Sequence, residues 1–367
     1  MSAAPEPGLL FRLFANCVPV RGARRSSICD LQRGRIHLIP NALHEILTTH
    51  RDLSLAELLA LHPVEEHATL EEYFAFLVEK GLGFWCDAPE AFPELDLSWD
   101  APARVTNAIV DFGPASDHDL ASIVRQLDAL GCQALQLRFF AEVTEERMDA
   151  LLAATSQSRL RSIDLLLPDA PWWTPDAVTR LGFRHQRISG VLLHSAPEAR
   201  HIHVRSGDAQ IRYVTRVIDS DAHCGEVHPD YFAVNLSAFT EAQAHNSCLN
   251  RKIAVDAGGW IRNCPSMPRA FGHASSDPLA AAVDDPAFRG PWGISRDQVE
   301  VCRDCEFRYV CTDCRAHLRD PADPRSKPAK CGYDPYTATW NAVPRREAAS
   351  PPGMPARALP VLAAAAP

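Results

Sequence analysis

Seven of the chain's twelve cysteines fall between Cys248 and Cys331, less than a quarter of its 367 residues. That crowding constrains the fold more than any other feature, because closely spaced thiols call for either an oxidising compartment or a metal. The tightest part joins Cys302-Arg-Asp-Cys305 to Cys311-Thr-Asp-Cys314, a Cys-x2-Cys-x5-Cys-x2-Cys run. Two residues between thiols let both sulfurs of a turn face one metal centre, which thiols from elsewhere then close. Gly258-Gly259 lies just before Cys264 and reads as a place where backbone passes close to a bulky inorganic group.

Nothing at the amino terminus reads as a secretory signal, so a reduced, cytoplasmic setting is expected and a disulfide framework is disfavoured. Structural zinc is the plain alternative to an iron–sulfur group, since Cys-x2-Cys pairs suit both.

Four stretches carry a family resemblance: Asn246 to Ile253, Gly259 to Cys264, Cys302 to Cys314, and Lys330 to Tyr336. Together they resemble a SPASM domain, the auxiliary iron–sulfur domain at the carboxyl end of many peptide-modifying radical SAM enzymes. The closer likeness is to the SPASM-domain peptide maturases of the grasp-with-spasm systems, which accompany an ATP-grasp ligase in making ribosomal natural products. The resemblance spans residues about 10 to 340. One departure is local: Thr312 and Asp313 make a gap of two where the general pattern has three. The resemblance implies two four-iron clusters. Cys302, Cys305, Cys311 and Cys331 would hold one; Cys248, Cys264 and Cys314 would hold the other and lack a fourth thiolate. Cys224 is the first candidate for that place, with His223, His245 or an open iron as alternatives.

The length suggests two or three domains. A formal net charge of −9 argues against a general nucleic-acid binder. No apolar run approaches the length of a membrane span. Residues 1–90 combine short β-prone runs (Leu9 to Phe14, Ser27 to Leu31, Arg35 to Ile39) with helical signals that open at Ser54 and Thr69. This suggests a small winged-helix-like module, similar to the PqqD chaperones that recognise leader peptides. Arg21, Arg24, Arg25, Arg33 and Arg35 crowd it. They read either as a solvated basic hairpin or as a docking face for an acidic peptide. Cys17, Cys29 and Cys86 read as packing residues or free thiols.

After a proline- and acid-rich linker, residues 100–220 alternate strand and helix. The strands are Val105 to Phe112, Ala134 to Phe139, Ser162 to Leu167, Ser189 to Leu193 and a late Arg212 to Ile218. Helices run from Ser116 to Leu130, from Thr144 to Ala154, and from the Thr174-Pro175 cap. The fold class is therefore α/β with a parallel sheet, and it resembles the partial (β/α) barrel of radical SAM enzymes. Residues 221–340 form the SPASM-like segment, and the proline- and alanine-rich stretch 341–367 reads as a disordered tail. The Cys-x3-Cys-x2-Cys motif of radical SAM catalysis is absent after the first barrel strand, where the chain reads Gly113-Pro-Ala-Ser-Asp-His-Asp-Leu120. No S-adenosylmethionine cleavage is expected. The reading is a cluster-bearing accessory or maturation protein that meets a ribosomal precursor peptide and an ATP-grasp ligase, with no nucleic-acid or membrane partner. A maturase with its own redox or metal chemistry, and a zinc-bearing peptide-docking protein, are the alternatives.

Overall fold

A computed structural model of the chain describes Glu6, residues 8–203 and residues 210–341. The tail expected from 341 onward lies outside the described residues, except for Asn341. The chain opens with β1 (Leu10–Leu13), β2 (Cys17–Val20), β3 (Ser26–Asp30) and β4 (Arg35–Ile39). Helices α1 (Asn41–Thr48), α2 (Leu55–Leu61) and α3 (Val64–Glu79) follow, then β5 (Gly83–Cys86). The Ser54 capping box is formed. Thr69, read as a second helix start, lies inside α3, which opens five residues earlier after Pro63. The proline presets the first turn, and that outweighs the sequence signature at Thr69. β1 pairs with β5, and β2-β3-β4 form a separate antiparallel sheet.

The middle of the chain runs β6 (Asn107–Phe112), α4 (Leu120–Ala129), β7 (Ala134–Phe139), α5 (Glu145–Ala153), β8 (Ser162–Pro168), α6 (Pro175–Arg184) and β9 (Ile188–His194). The α4 cap is Asp119 rather than the region of Ser116, whose hydroxyl instead ties the preceding loop together. β10 (Arg200–His203) and β11 (Gln210–Tyr213) follow. Helix α7 (Leu236–Ala244) leads to β12 (Lys252–Val255) and β13 (Ile261–Arg262). Two short helices, α8 (Leu279–Asp284) and α9 (Pro286–Arg289), and the pair β14 (Tyr333–Asp334) and β15 (Thr339–Trp340) complete the described chain.

The fold is mixed α/β around one eight-stranded sheet of order β10-β11-β9-β8-β7-β6-β12-β13. From β11 to β12 every neighbouring pair is parallel, and only the two edge strands run antiparallel. The strands from β6 to β9 stand in sequence order, so right-handed crossovers place α4, α5 and α6 on one face. Alternation sends Ala108, Val110, Leu135, Leu137, Ile163 and Leu165 into the core beneath those helices. By register the opposite face carries Lys252, Asp111, Gln136, Arg138, Asp164 and His194, all buried. β12 comes from the cysteine-rich segment, so the main sheet crosses the boundary that sequence placed at 220.

The β2-β3-β4 sheet packs against the cysteine-rich segment as well. Val20, Cys29 and Leu31 share a core with Val227, Phe232, Phe307, Val310 and Tyr333. Among the described residues no helix is long and apolar enough to cross a membrane.

Candidate metal centre

Eight cysteines gather into two groups of four. In the first, Cys224 follows a short 3-10 turn, Cys248 lies in the turn before β12, Cys264 follows β13, and Cys314 ends the Cys311–Cys314 loop. All four line one small pocket. Cys248 lies close enough to oppose the ionisation of Cys224, Cys264 and Cys314, and Cys224 that of Cys264 and Cys314. Local chemistry aims them. The buried Asn246 carboxamide accepts from the backbone N–H of Cys248 at 3.0 Å and of Leu249 at 2.8 Å, fixing that turn. Gly225 sits at φ +88°, and a Cβ there would stand 2.7 Å from the Cys314 sulfur. The backbone therefore passes where no side chain fits.

The second group contains Cys302, Cys305, Cys311 and Cys331. Cys302 is electrostatically coupled to Cys331 and Cys305, and Cys311 to Cys302, Cys305 and Cys331. Val301, just before Cys302, is held at φ +65°, an uncommon conformation for a β-branched residue. The turn it forces closes Cys302 onto Cys305, whose N–H donates to the Cys302 carbonyl at 3.0 Å. Lys330 joins the two groups: it is the neighbour of Cys331 and donates to the backbone carbonyl of Cys224 at 2.6 Å.

Burial pushes the thiols of Cys224, Cys264, Cys302 and Cys305 up, Cys314 to about 11 and Cys311 to about 12. Four buried thiolates cannot share a site without compensating positive charge. Each group has a buried cation that donates to its sulfurs. Lys252 Nζ donates to Cys248 Sγ at 3.4 Å. Burial alone would lower Lys252, but the surrounding Cys248, Cys264 and Cys224 raise it. Arg296 donates to Cys302 Sγ at 3.0 Å and Cys311 Sγ at 3.2 Å, with Asp313 3.6 Å from its Nε. Beside the first group the buried Arg138 grips Asp111 through two bonds of 2.6 Å.

Four thiols per group match the number and type of donors a four-iron cluster takes. Four thiols are also the donor number of a tetrahedral zinc, and among the described residues no three His, Cys, Asp or Glu side chains are arranged to hold a metal ion. In a four-iron cube each thiolate binds its own iron, so four donors surround a shared volume instead of meeting at a point. Cys224 stands with Cys248, Cys264 and Cys314, whereas His223 bonds Asp219 at 2.9 Å and His245 packs edge-on against Trp99. All twelve cysteines are free thiols. Cys17, Cys29 and Cys132 are buried, with thiols pushed up to about 12 chiefly by desolvation.

Gly259 serves another purpose than the one expected: a Cβ there would meet the His273 ring at 2.5 Å. Of the five arginines in or between the strands of the amino-terminal sheet, Arg25 pairs with the buried Glu306 at 2.8 Å and Arg33 with Asp30 at 2.9 Å, while Arg21, Arg24 and Arg35 are exposed. Sequence reasoning passed over Lys252, Arg296, Arg138 and His317. Lys252 stood inside a quoted stretch, and a lysine beginning a run otherwise of Ile-Ala-Val was the available signal. His317 lines the first pocket, three residues past Cys314. No protein-family model matches the chain, and no curated protein is significantly similar to it.

Proposed function

We propose that this chain is an iron–sulfur accessory or maturation protein for a ribosomally made peptide, acting with an ATP-grasp ligase. One observation supports the metal part of the reading: eight cysteines from distant parts of the chain fall into two largely buried groups of four, each with a buried cation beside it; the peptide and the ligase rest on the family resemblance. The finer architecture belongs to the same proposal. It comprises a PqqD-like, winged-helix-like amino-terminal module, a partial (β/α) barrel and a SPASM-like cluster domain. Cys224, Cys248, Cys264 and Cys314 would hold one [4Fe-4S] cluster, and Cys302, Cys305, Cys311 and Cys331 the other. Bound there, the clusters would supply rigid cross-links and one-electron redox capacity. The chain's own part is to bury them, keep water away and offset their charge through Lys252 and Arg296.

The precursor peptide belongs, in this reading, at an edge of the β2-β3-β4 sheet. Among the described residues both outer strands pair on one side only, and an added extended strand would satisfy the backbone groups on the other. β4 exposes Arg35 and Leu38; Arg21, Arg24 and Arg35 would steer an acidic segment.

Anaerobically purified protein is the test. It should be brown, with about eight irons and eight sulfides per chain if both groups are loaded. Cys302→Ala should remove about half of the iron on the same count, and Cys17→Ala none. Colourless protein with stoichiometric zinc overturns the assignment.

A further inference from the structure

Lys252 occupies a position that strand geometry does not require to be charged. It begins β12, pairs by register with Asn107, and lies on the sheet face opposite the helices. It is 3% exposed. An apolar side chain would continue the strand, and burying an ammonium ion without need is costly. Its hydrogen bond goes to sulfur: Nζ donates to Cys248 Sγ at 3.4 Å, with Cys224 and Cys264 also near enough to raise its pKa. The next cation on that face, Arg138, is neutralised by its bidentate pair with Asp111. Arg138 still acts on Cys224 and Cys264 through space, but Lys252 is the cation whose ammonium hydrogen-bonds a sulfur of the first group and, among the described residues, has no carboxylate bonded to it.

A fixed positive charge in a water-poor site stabilises the more negative member of a redox couple. We propose that Lys252 sets the reduction potential of the iron–sulfur group held by Cys224, Cys248, Cys264 and Cys314, raising it so that the group accepts one electron. The inference rests on the iron–sulfur reading above. No bond is made or broken: one electron enters from a low-potential donor, dithionite in the test, and the added negative charge faces the ammonium. Lys252 is a positioning residue, because it acts through the cluster's sulfur.

The test is an anaerobic potentiometric titration of iron-loaded full-length protein, followed by visible and paramagnetic resonance spectra. The transition missing from Cys264→Ala marks the first site. In Lys252→Met that transition should move to lower potential by at least tenfold in the reduction equilibrium, about 59 mV for one electron. The second site's transition should stay in place, and Lys252→Arg should restore most of the shift. An unmoved first transition, or equal movement of both, overturns the proposal. If Lys252→Met loses the first site's iron, Lys252→Gln takes its place under the same criteria. Iron loss from both, with retention in Lys252→Arg, overturns potential-setting in favour of a purely structural role. Wild-type protein without iron defeats the iron–sulfur reading itself, whereas iron-loaded protein indifferent to Lys252 defeats only this inference.

Discussion

Gly225 shows how a single residue decides whether the first site exists. Its φ of +88° lies where an L side chain is strained, and a Cβ would press on Cys314 Sγ at 2.7 Å and on the His317 ring at 3.0 Å. The backbone penalty is about 1–2 kcal/mol, but displacement of a ligand sulfur matters more. Gly225→Ala should therefore lose the first site's iron, about half of the total for two four-iron clusters, and keep the second. Full iron content measured beside wild type would refute the assignment of Cys314. Little of this was visible in the sequence, because Gly225 acquires its meaning from a sulfur 89 residues away. Cys224 was nearly legible as the closest upstream thiol. Its two histidine alternatives have partners elsewhere that only contacts through space reveal, His223 with Asp219 and His245 with Trp99.

Elements with strong local signals read well from sequence. Thr144 caps α5 and Thr174 caps α6, with Pro175 in the first turn. β4 and β7 begin and end where their apolar patterns do. Short strands such as β2 and β5 escaped, since four residues offer too little periodicity to distinguish strand from loop. What no periodicity carries is docking between elements. The β2-β3-β4 sheet presses on the loop that follows Cys302: Ala23 N–H donates to the Asp304 carbonyl at 2.7 Å, and the Ser27 hydroxyl to the Glu306 carbonyl at 2.7 Å. Gly22 faces the same loop, where a Cβ would meet Glu306 N at 2.9 Å and the Arg25 carbonyl at 2.4 Å. Gly22→Ala should wedge that contact open. Amide hydrogen exchange across residues 300–312 should accelerate relative to wild type, with α4 to α6 unchanged. Equal protection in the two proteins would mean that the sheet does not hold the loop.

At the scale of the whole molecule, the amino-terminal sheet and the second thiol group share one core, so truncation near residue 90 would strip a wall from that group. The α/β class was legible because strand–helix alternation is local. The joining of β12 to β6 was not, since 140 residues separate them. That join places the first thiol group against the sheet face that in a barrel would look inward. The C-terminal end of β6, where such sheets support chemistry, holds no thiol. There Gly113 N–H donates to the Ser116 hydroxyl at 2.8 Å, and the His118 ring packs on Phe112 at 4.6 Å. Cleaving S-adenosylmethionine requires a four-iron cluster with three thiolates and one free iron. Eight of the cysteines are grouped four and four, and Cys132 is buried with its thiol turned to the Ala134 carbonyl. Reduced, fully loaded protein incubated with S-adenosylmethionine should therefore yield no 5′-deoxyadenosine above a buffer control, with or without peptide. Accumulation of that product, abolished in Cys264→Ala but not in Cys224→Ala, would show that the first cluster keeps an iron open and that Cys224 is not its ligand.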